Sequence, residues 1–290
     1  MITRRTFMTA LGAGGALAMT DATAVVRALA DGPASPAMPV LFVGHGNPMN
    51  AIEDNEFSRT WRKVGSNLPI PRAILCVSAH WETAGTYVTA MERPRTIHDF
   101  GGFPDELFAV QYPAPGSPAI AEETRQTLTG HTILLDHEWG LDHGAWSVLV
   151  RMFPGANVPV LQLSLDVGMR PDQHAALAAM LGTLRDRGVL ILGSGNIVHN
   201  LRRARWGEGK PYDWAIEFDQ TSKDLIEKND LASLANYPSL GAAAQLSIPT
   251  NEHYLPMLYA LALRRKADKL TFFNESLDLG SISMRSFMLA

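Results

Sequence analysis

Nine histidines stand out in an acidic chain of 290 residues. Several share one local grammar. The apolar run Leu41-Phe42-Val43 enters Gly44-His45-Gly46-Asn47-Pro48. Ile74-Leu75-Cys76-Val77 enters Ser78-Ala79-His80-Trp81-Glu82. Leu190-Ile191-Leu192 enters Gly193-Ser194-Gly195-Asn196-Ile197-Val198-His199-Asn200. Each reads as a strand, then small residues, then a histidine. Glycine flanks let backbone or ligand approach without a Cβ clash. His253 lies in Thr250-Asn-Glu-His-Tyr-Leu-Pro256, where Pro256 suits the first turn of a helix and leaves His253 in the loop entering it. His143 sits in the Gly- and Trp-rich stretch Trp139-Gly-Leu-Asp-His-Gly-Ala-Trp146. Neutral imidazole ligates iron, zinc, copper and nickel alike. The cluster therefore points to a mononuclear transition-metal site with imidazole-rich ligation. No His-Glu-x-x-His or Cys-x-x-Cys spacing narrows the metal. His131, His137 and His174 lack the grammar and read as surface or structural residues.

Bringing such residues together requires a scaffold whose strands end at one edge. Short runs rich in Val, Ile and Leu recur at 39–43, 73–78, 86–90, 132–135, 158–165, 189–192 and 270–273. Helix-like windows lie at 55–64, 118–128, 171–187, 214–227 and 257–266, the last closing on Arg264-Arg265-Lys266, cations that suit a helix C-terminus. This alternation predicts a single-domain α/β sandwich around a largely parallel or mixed central sheet. In such sheets ligands bind at the carboxyl ends of the strands, which places the metal site there.

Composition excludes other classes. With 46% hydrophobic and 19% charged residues the chain is ordinary globular material. A net charge of -4 and a pI near 6.1 lack the basic footprint of a nucleic-acid binder. The single cysteine, Cys76, rules out an intrachain disulfide and a Cys-rich zinc or iron–sulfur site, and reads as an inert buried thiol. At the N-terminus, Arg4-Arg5, then Phe7 and a weakly apolar Ala/Gly stretch resemble a twin-arginine export signal over residues 1–30, followed by a flexible leader at 31–38 and a catalytic domain at 39–290. That signal implies the twin-arginine export machinery as a partner, a periplasmic location and no stable membrane anchor once it is removed. Among lesser features, Trp81, Trp139, Trp146 and Phe103 are candidates for an aromatic pocket wall or for core. His98-Asp99 before Gly101-Gly102 reads as a mobile loop over the site or as a structural turn, of which the turn is preferred. Arg202-Arg203-Ala-Arg205 is a candidate for binding a substrate carboxylate or for a solvated helix face, of which the solvated face is preferred.

Seven motifs occur in order: Gly44-His-Gly-Asn-Pro-Met49, Val77-Ser-Ala-His-Trp81, Thr96-Ile-His-Asp-Phe-Gly-Gly-Phe-Pro104, Tyr112-Pro-Ala-Pro-Gly-Ser-Pro118, Asp142-His-Gly-Ala-Trp146, Gly195-Asn-Ile-Val-His-Asn200 and Glu252-His-Tyr-Leu-Pro256. Together they resemble the DOPA-dioxygenase-type branch of the class III extradiol ring-cleavage dioxygenases, relatives of the protocatechuate 4,5-dioxygenase catalytic subunit. The resemblance implies His45, His80 and His253 as metal ligands. It implies His199 as a further ligand or as the active-site base, of which the base is preferred here, and His143 as a residue beside the substrate ring. Glu252, next to His253, is a candidate partner or ligand. The implied substrates are a small aromatic diol and O2, and the product is of the muconic-semialdehyde type. Fe(II) is expected for activity, because redox-inert Zn(II) cannot pass electrons from a catecholate to O2. Zn(II) is a candidate for the ion found in purified protein. The alternatives are a metal-binding scaffold without redox turnover and a zinc-dependent hydrolase.

Overall fold

The computed structural model describes residues 37–206 and 210–290. The expected export signal and most of the leader lie outside the described residues. Met38 is already part of the fold. Its N–H donates to the Arg185 carbonyl at 2.9 Å, and its carbonyl accepts from the Arg185 guanidinium at 2.8 Å.

The apolar runs become β1 (Val40–Gly44), β2 (Ala73–Thr83), β3 (Thr86–Thr89), β4 (Ile133–Asp136), β5 (Val160–Asp166), β6 (Val189–Gly195) and β7 (Leu270–Phe273). Two short strands, β8 (Leu277–Asp278) and β9 (Ile282–Ser283), pair with each other, and β10 (Ser286–Leu289) closes the chain. One eight-stranded mixed sheet runs in the order β4-β3-β5-β2-β6-β1-β10-β7. Its centre, β5-β2-β6-β1, is parallel. Antiparallel joins flank it, β3 against β5 and β10 against β1.

Strands β1, β2 and β6 begin with unbroken apolar runs because both faces are covered, while β5 interrupts its run with buried Gln162 and Ser164. Alternate side chains point to opposite faces. Val40 and Phe42 enter one core, while Leu41 and Val43 enter the other; Leu75 and Val77 separate from Ile74 and Cys76 in the same way. Each fully buried side chain of this size contributes about 1.5–3 kcal/mol. Helices Pro171–Met180, Asp213–Glu227 and Leu255–Ala262 cover the first face; Glu56–Asn67 and His143–Met152 cover the second.

Several boundaries differ from the sequence reading. The window 171–187 breaks at Leu181 into Pro171–Met180 and Gly182–Asp186. The last window starts at Leu255, with Pro256 in its first turn as expected, and stops at Ala262. Its basic run therefore serves other helices. Arg264 donates to the Ile226 and Glu227 carbonyls at the end of Asp213–Glu227, and Arg265 pairs with Asp186. The Gly- and Trp-rich stretch around His143 is a helix, and the Asp142 side chain accepts from the Ala145 N–H to cap it. Among the described residues no helix is long and apolar enough to cross a membrane.

Candidate metal centre

The pairing of β6 with β1 and β2 stops at one level, beyond which β2 runs on to Thr83 with His80 inside it. Val43 and Ser78 both register with Ser194, and Gly44 with Gly195. Their carboxyl ends deliver His45, His80 and the segment 193–199 to one edge of the sheet. His253 reaches the same edge from the loop before Leu255–Ala262, where its carbonyl accepts the Asn196 N–H at 2.8 Å. Gly195 permits that approach, since a Cβ there would collide with the His253 carbonyl.

The five histidines singled out in the sequence converge. The rings of His45, His80 and His253 lie 5.0 Å apart in all three pairings. His143 lies 3.8 Å from His80, and His199 stacks face to face on His253 at 3.4 Å. Ring nitrogens of His45, His80 and His143 come within 4.8 Å of one another, as do ligand atoms of His199, Glu252 and His253. Glu252 also accepts from the Thr250 hydroxyl at 2.9 Å.

Hydrogen bonds behind the rings of His45 and His253 set their tautomers. Ser194 spends its hydroxyl proton on the Gly144 carbonyl at 2.5 Å, so it accepts from His45 Nδ1–H at 3.0 Å. Asn196 spends its amide N–H on the Ser283 carbonyl at 2.9 Å. Its Oδ1 therefore faces His253 Nδ1, 3.3 Å away, as an acceptor. The Asp99 carboxylate, an acceptor only, lies 3.3 Å from His80 Nδ1 and 3.0 Å from His143 Nδ1. In neutral His45 and His253 these partners keep the proton on Nδ1 and leave Nε2 a lone pair, and the nearby Asp99 charge favours the same arrangement in His80 and His143. His45 Nε2 and His80 Nε2 face each other at 3.2 Å. Two nitrogens at that spacing can each reach one cation at about 2.0–2.1 Å.

Electrostatics keep the rings in the ligating form. Burial, then the charges of His80, His143 and His199, push His45 well below the ordinary imidazole range. Burial, followed by His199, does the same to His253. His80 is held down to about 3 by burial and His143, against the opposing pull of Asp99. His199 is held down to about 4 by burial and then His143. Burial pushes the Asp99 carboxyl up, but its contacts with His143 and His80 bring it below the carboxylate range.

The histidines floor a cleft of 360 Å³. Phe100, Phe103, Leu201 and Trp206 form part of its wall. Of the aromatic candidates only Phe103 lines it. Trp81 and Trp139 stack on one another at 5.8 Å, and Trp146 is buried with its indole N–H on the Ile97 carbonyl. His131 and His137 are exposed, and His174 is buried against Tyr259. The structural turn expected at His98-Asp99 is half right. His98 contacts the Val110 carbonyl away from the rings, whereas Asp99 sits between two of them. Ser194, Asn196 and Asp99 were missed as partners of the histidines. The one local signal was their place at strand ends or beside a histidine. Arg202 and Arg203 lie exposed on a single 3-10 turn, as a solvated face should.

Comparison with known proteins follows the same outline. Residues 37–279 match the family described as the catalytic LigB subunit of aromatic ring-opening dioxygenase. The chain is 45% identical over 263 residues to a 4,5-DOPA dioxygenase extradiol of Escherichia coli (strain K12), covering 88% of this chain and 96% of that protein. It is 35% identical over 255 residues to a 4,5-DOPA dioxygenase extradiol of Beta vulgaris, covering 85% and 94%. A crystal structure of an uncharacterized protein from Escherichia coli K12 superposes with a TM-score of 0.77 at 42% identity, covering 87% of this chain and all of that one.

Proposed function

The chain belongs to the family of the catalytic LigB subunit of aromatic ring-opening dioxygenases, which are metal-dependent enzymes, and from that premise we propose that it cleaves a catecholic ring beside its diol. Both atoms of O2 enter the product, one ring carbon–carbon bond breaks, and a muconic-semialdehyde-type acid results without an external reductant. His45, His80 and His253 would hold a single Fe(II). The observation that carries this reading is the convergence of the three rings, 5.0 Å apart in every pairing, with His45 and His80 Nε2 facing each other and Ser194 and Asn196 behind Nδ1 of His45 and His253. Bound iron supplies a redox path from catecholate to O2 and acidifies a bound hydroxyl.

The protein's own groups supply the rest. Burial leaves His199 neutral at pH 7, so its ring can take the second hydroxyl proton and return it later. His143, with Nδ1 turned to Asp99, presents Nε2 as an acceptor for a substrate hydroxyl. Phe100 and Phe103 give the aromatic ring an apolar wall and keep water from it. Holding diol and O2 together replaces a three-body encounter. The names of the relatives make a DOPA-like catechol the first substrate to try. Export through the twin-arginine pathway to the periplasm belongs to the same proposal, on the strength of Arg4, Arg5 and Phe7.

The test is anaerobic reconstitution with Fe(II), then L-DOPA and a panel of other catechols, with O2 uptake and absorbance of the ring-opened product followed together. One O2 consumed per ring opened, with Fe(II) and not with Zn(II), is the expected result. No uptake across the panel overturns the proposal.

A further inference from the structure

We propose that Asp99 is a positioning residue that clamps two histidines of different duty to one carboxylate. Its Oδ2 lies 3.3 Å from His80 Nδ1 and 3.0 Å from His143 Nδ1. Its Oδ1 accepts the backbone N–H of His143 at 2.9 Å, from 44 residues away in sequence. That last bond seats the carboxylate at the N-terminus of His143–Met152, where unpaired N–H groups and the helix dipole favour negative charge. Both oxygens are thereby engaged.

No nearby carboxylate can replace it. Asp142 is fully buried, and its oxygens accept from Ser78 and Gln162, each at 2.6 Å. The clamp also carries part of the cleft wall. Phe100 follows Asp99 directly; its ring meets His143 edge-on at 5.4 Å and Phe103 at 5.3 Å. A shift of the Asp99 carboxylate therefore turns His80, turns His143 and moves the wall together.

This inference rests on the reading in which His80 holds the metal and His143 meets the substrate. It makes a prediction that neither role alone makes. An amide in place of the carboxylate keeps a single acceptor oxygen, and its NH2 cannot face an N–H. With the amide oxygen on the His143 backbone N–H both rings lose the oxygen they share, and with the amide turned over the backbone bond that seats the side chain is lost. Loss of such an outer partner weakens metal binding by about 10–100-fold.

The experiment compares wild type with Asp99→Asn, Asp99→Glu, His143→Ala and the double variant Asp99→Asn/His143→Ala. Zn(II) affinity is read by chelator competition, melting of the metal-free proteins by circular dichroism, and kcat and KM with L-DOPA on the Fe(II)-loaded forms. Asp99→Asn is expected to bind Zn(II) about 10–100-fold more weakly, with the metal-free melting temperature unchanged within roughly 3 °C. His143→Ala should keep its Zn(II) affinity and lose kcat. The double variant should show the Zn(II) affinity of Asp99→Asn and the kcat of His143→Ala, because the clamp acts on turnover through His143. Asp99→Glu keeps the charge, displaces it by one methylene, and should also bind Zn(II) weakly. Wild-type Zn(II) affinity in Asp99→Asn overturns the clamp, as does wild-type affinity in Asp99→Glu should Asp99→Asn fail to fold. If the affinities follow this pattern but no catechol turns over, the clamp stands and the ring-cleavage reading falls.

Discussion

His45 and His80 point their Nε2 atoms at each other across 3.2 Å, and Ser194 keeps the His45 proton on Nδ1, the far side of its ring. The Asp99 carboxylate, 3.3 Å from His80 Nδ1, favours the proton on the far side of that ring too. Two lone pairs so placed repel in a buried site, and protonating either ring is opposed by burial and by neighbouring histidines. A divalent cation between them removes the repulsion without adding a proton.

Replacing a ligand and replacing the base should therefore give different losses. His45→Ala is expected to purify without stoichiometric metal. His199→Ala should retain metal and lose about 10²–10⁴-fold in kcat, the usual worth of a positioned acid–base group. Elemental analysis of the two proteins beside their turnover rates checks this. A fully metal-loaded His45→Ala protein contradicts the assignment.

Stripping the metal should soften the fold. A cation present at a hundred times its Kd stabilises by about 2.7 kcal/mol. For a chain of this size that corresponds to roughly 5–10 °C in Tm. Calorimetry of chelator-treated protein before and after adding back Zn(II) measures the shift. Its absence would mean that the cluster binds no ion in the folded state.

Ser194 should matter to metal affinity although it touches no metal. It accepts from His45 Nδ1 and donates to the Gly144 carbonyl. Ser194→Ala frees the His45 ring to rotate and to change tautomer. Zn(II) affinity is expected to fall by about 10–100-fold, read by chelator competition. The Gly144 carbonyl also loses its donor, so a modest drop in Tm should accompany it.

His174 should give a pH-dependent contribution to stability. Burial lowers its folded pKa below the ordinary 6.5, against the weaker upward pull of Asp166. As pH falls below 6.5, the unfolded chain takes up a proton that the folded chain refuses. Stability is lost from there down to the folded pKa, and no further below it, at up to about 1.4 kcal/mol per pH unit. Urea midpoints at pH 7.5, 6.5 and 5.5 for wild type and His174→Gln test this. The variant should show the shallower decline, and equal slopes would mean that His174 ionises freely in the fold.

Export should depend on the arginine pair. A reporter fused behind residues 1–38 is expected to reach the periplasm of a bacterium with a working twin-arginine pathway. The Arg4→Lys/Arg5→Lys version should stay inside. Fractionation of cells carrying each fusion decides it, and equal export of both sinks the proposal.

The sequence by itself determined the central strands and the strand-end histidines, for a local reason. A strand covered on both faces is largely apolar, as at Ile74-Leu75-Cys76-Val77, and small residues near its end let its neighbours approach. Such patterns are written in consecutive residues. The strand Ser286–Leu289 escaped because its four residues pair only where β1 and β7 leave room between them. The helix His143–Met152 was obscured by Gly144 and Trp146 near its start, although Asp142 carried the capping signal.

Only the tertiary structure decided which atoms of those histidines face inward. Nothing near Asp99 in the chain marks it as the partner of His80 and His143, and nothing near Asn196 marks it as the partner of His253. Sequence periodicity reports which face of an element is buried. It carries no record of the acceptor that a distant segment will set behind a ring, and that acceptor places the proton. Where the proton sits determines whether a cluster of imidazoles can grip a metal ion.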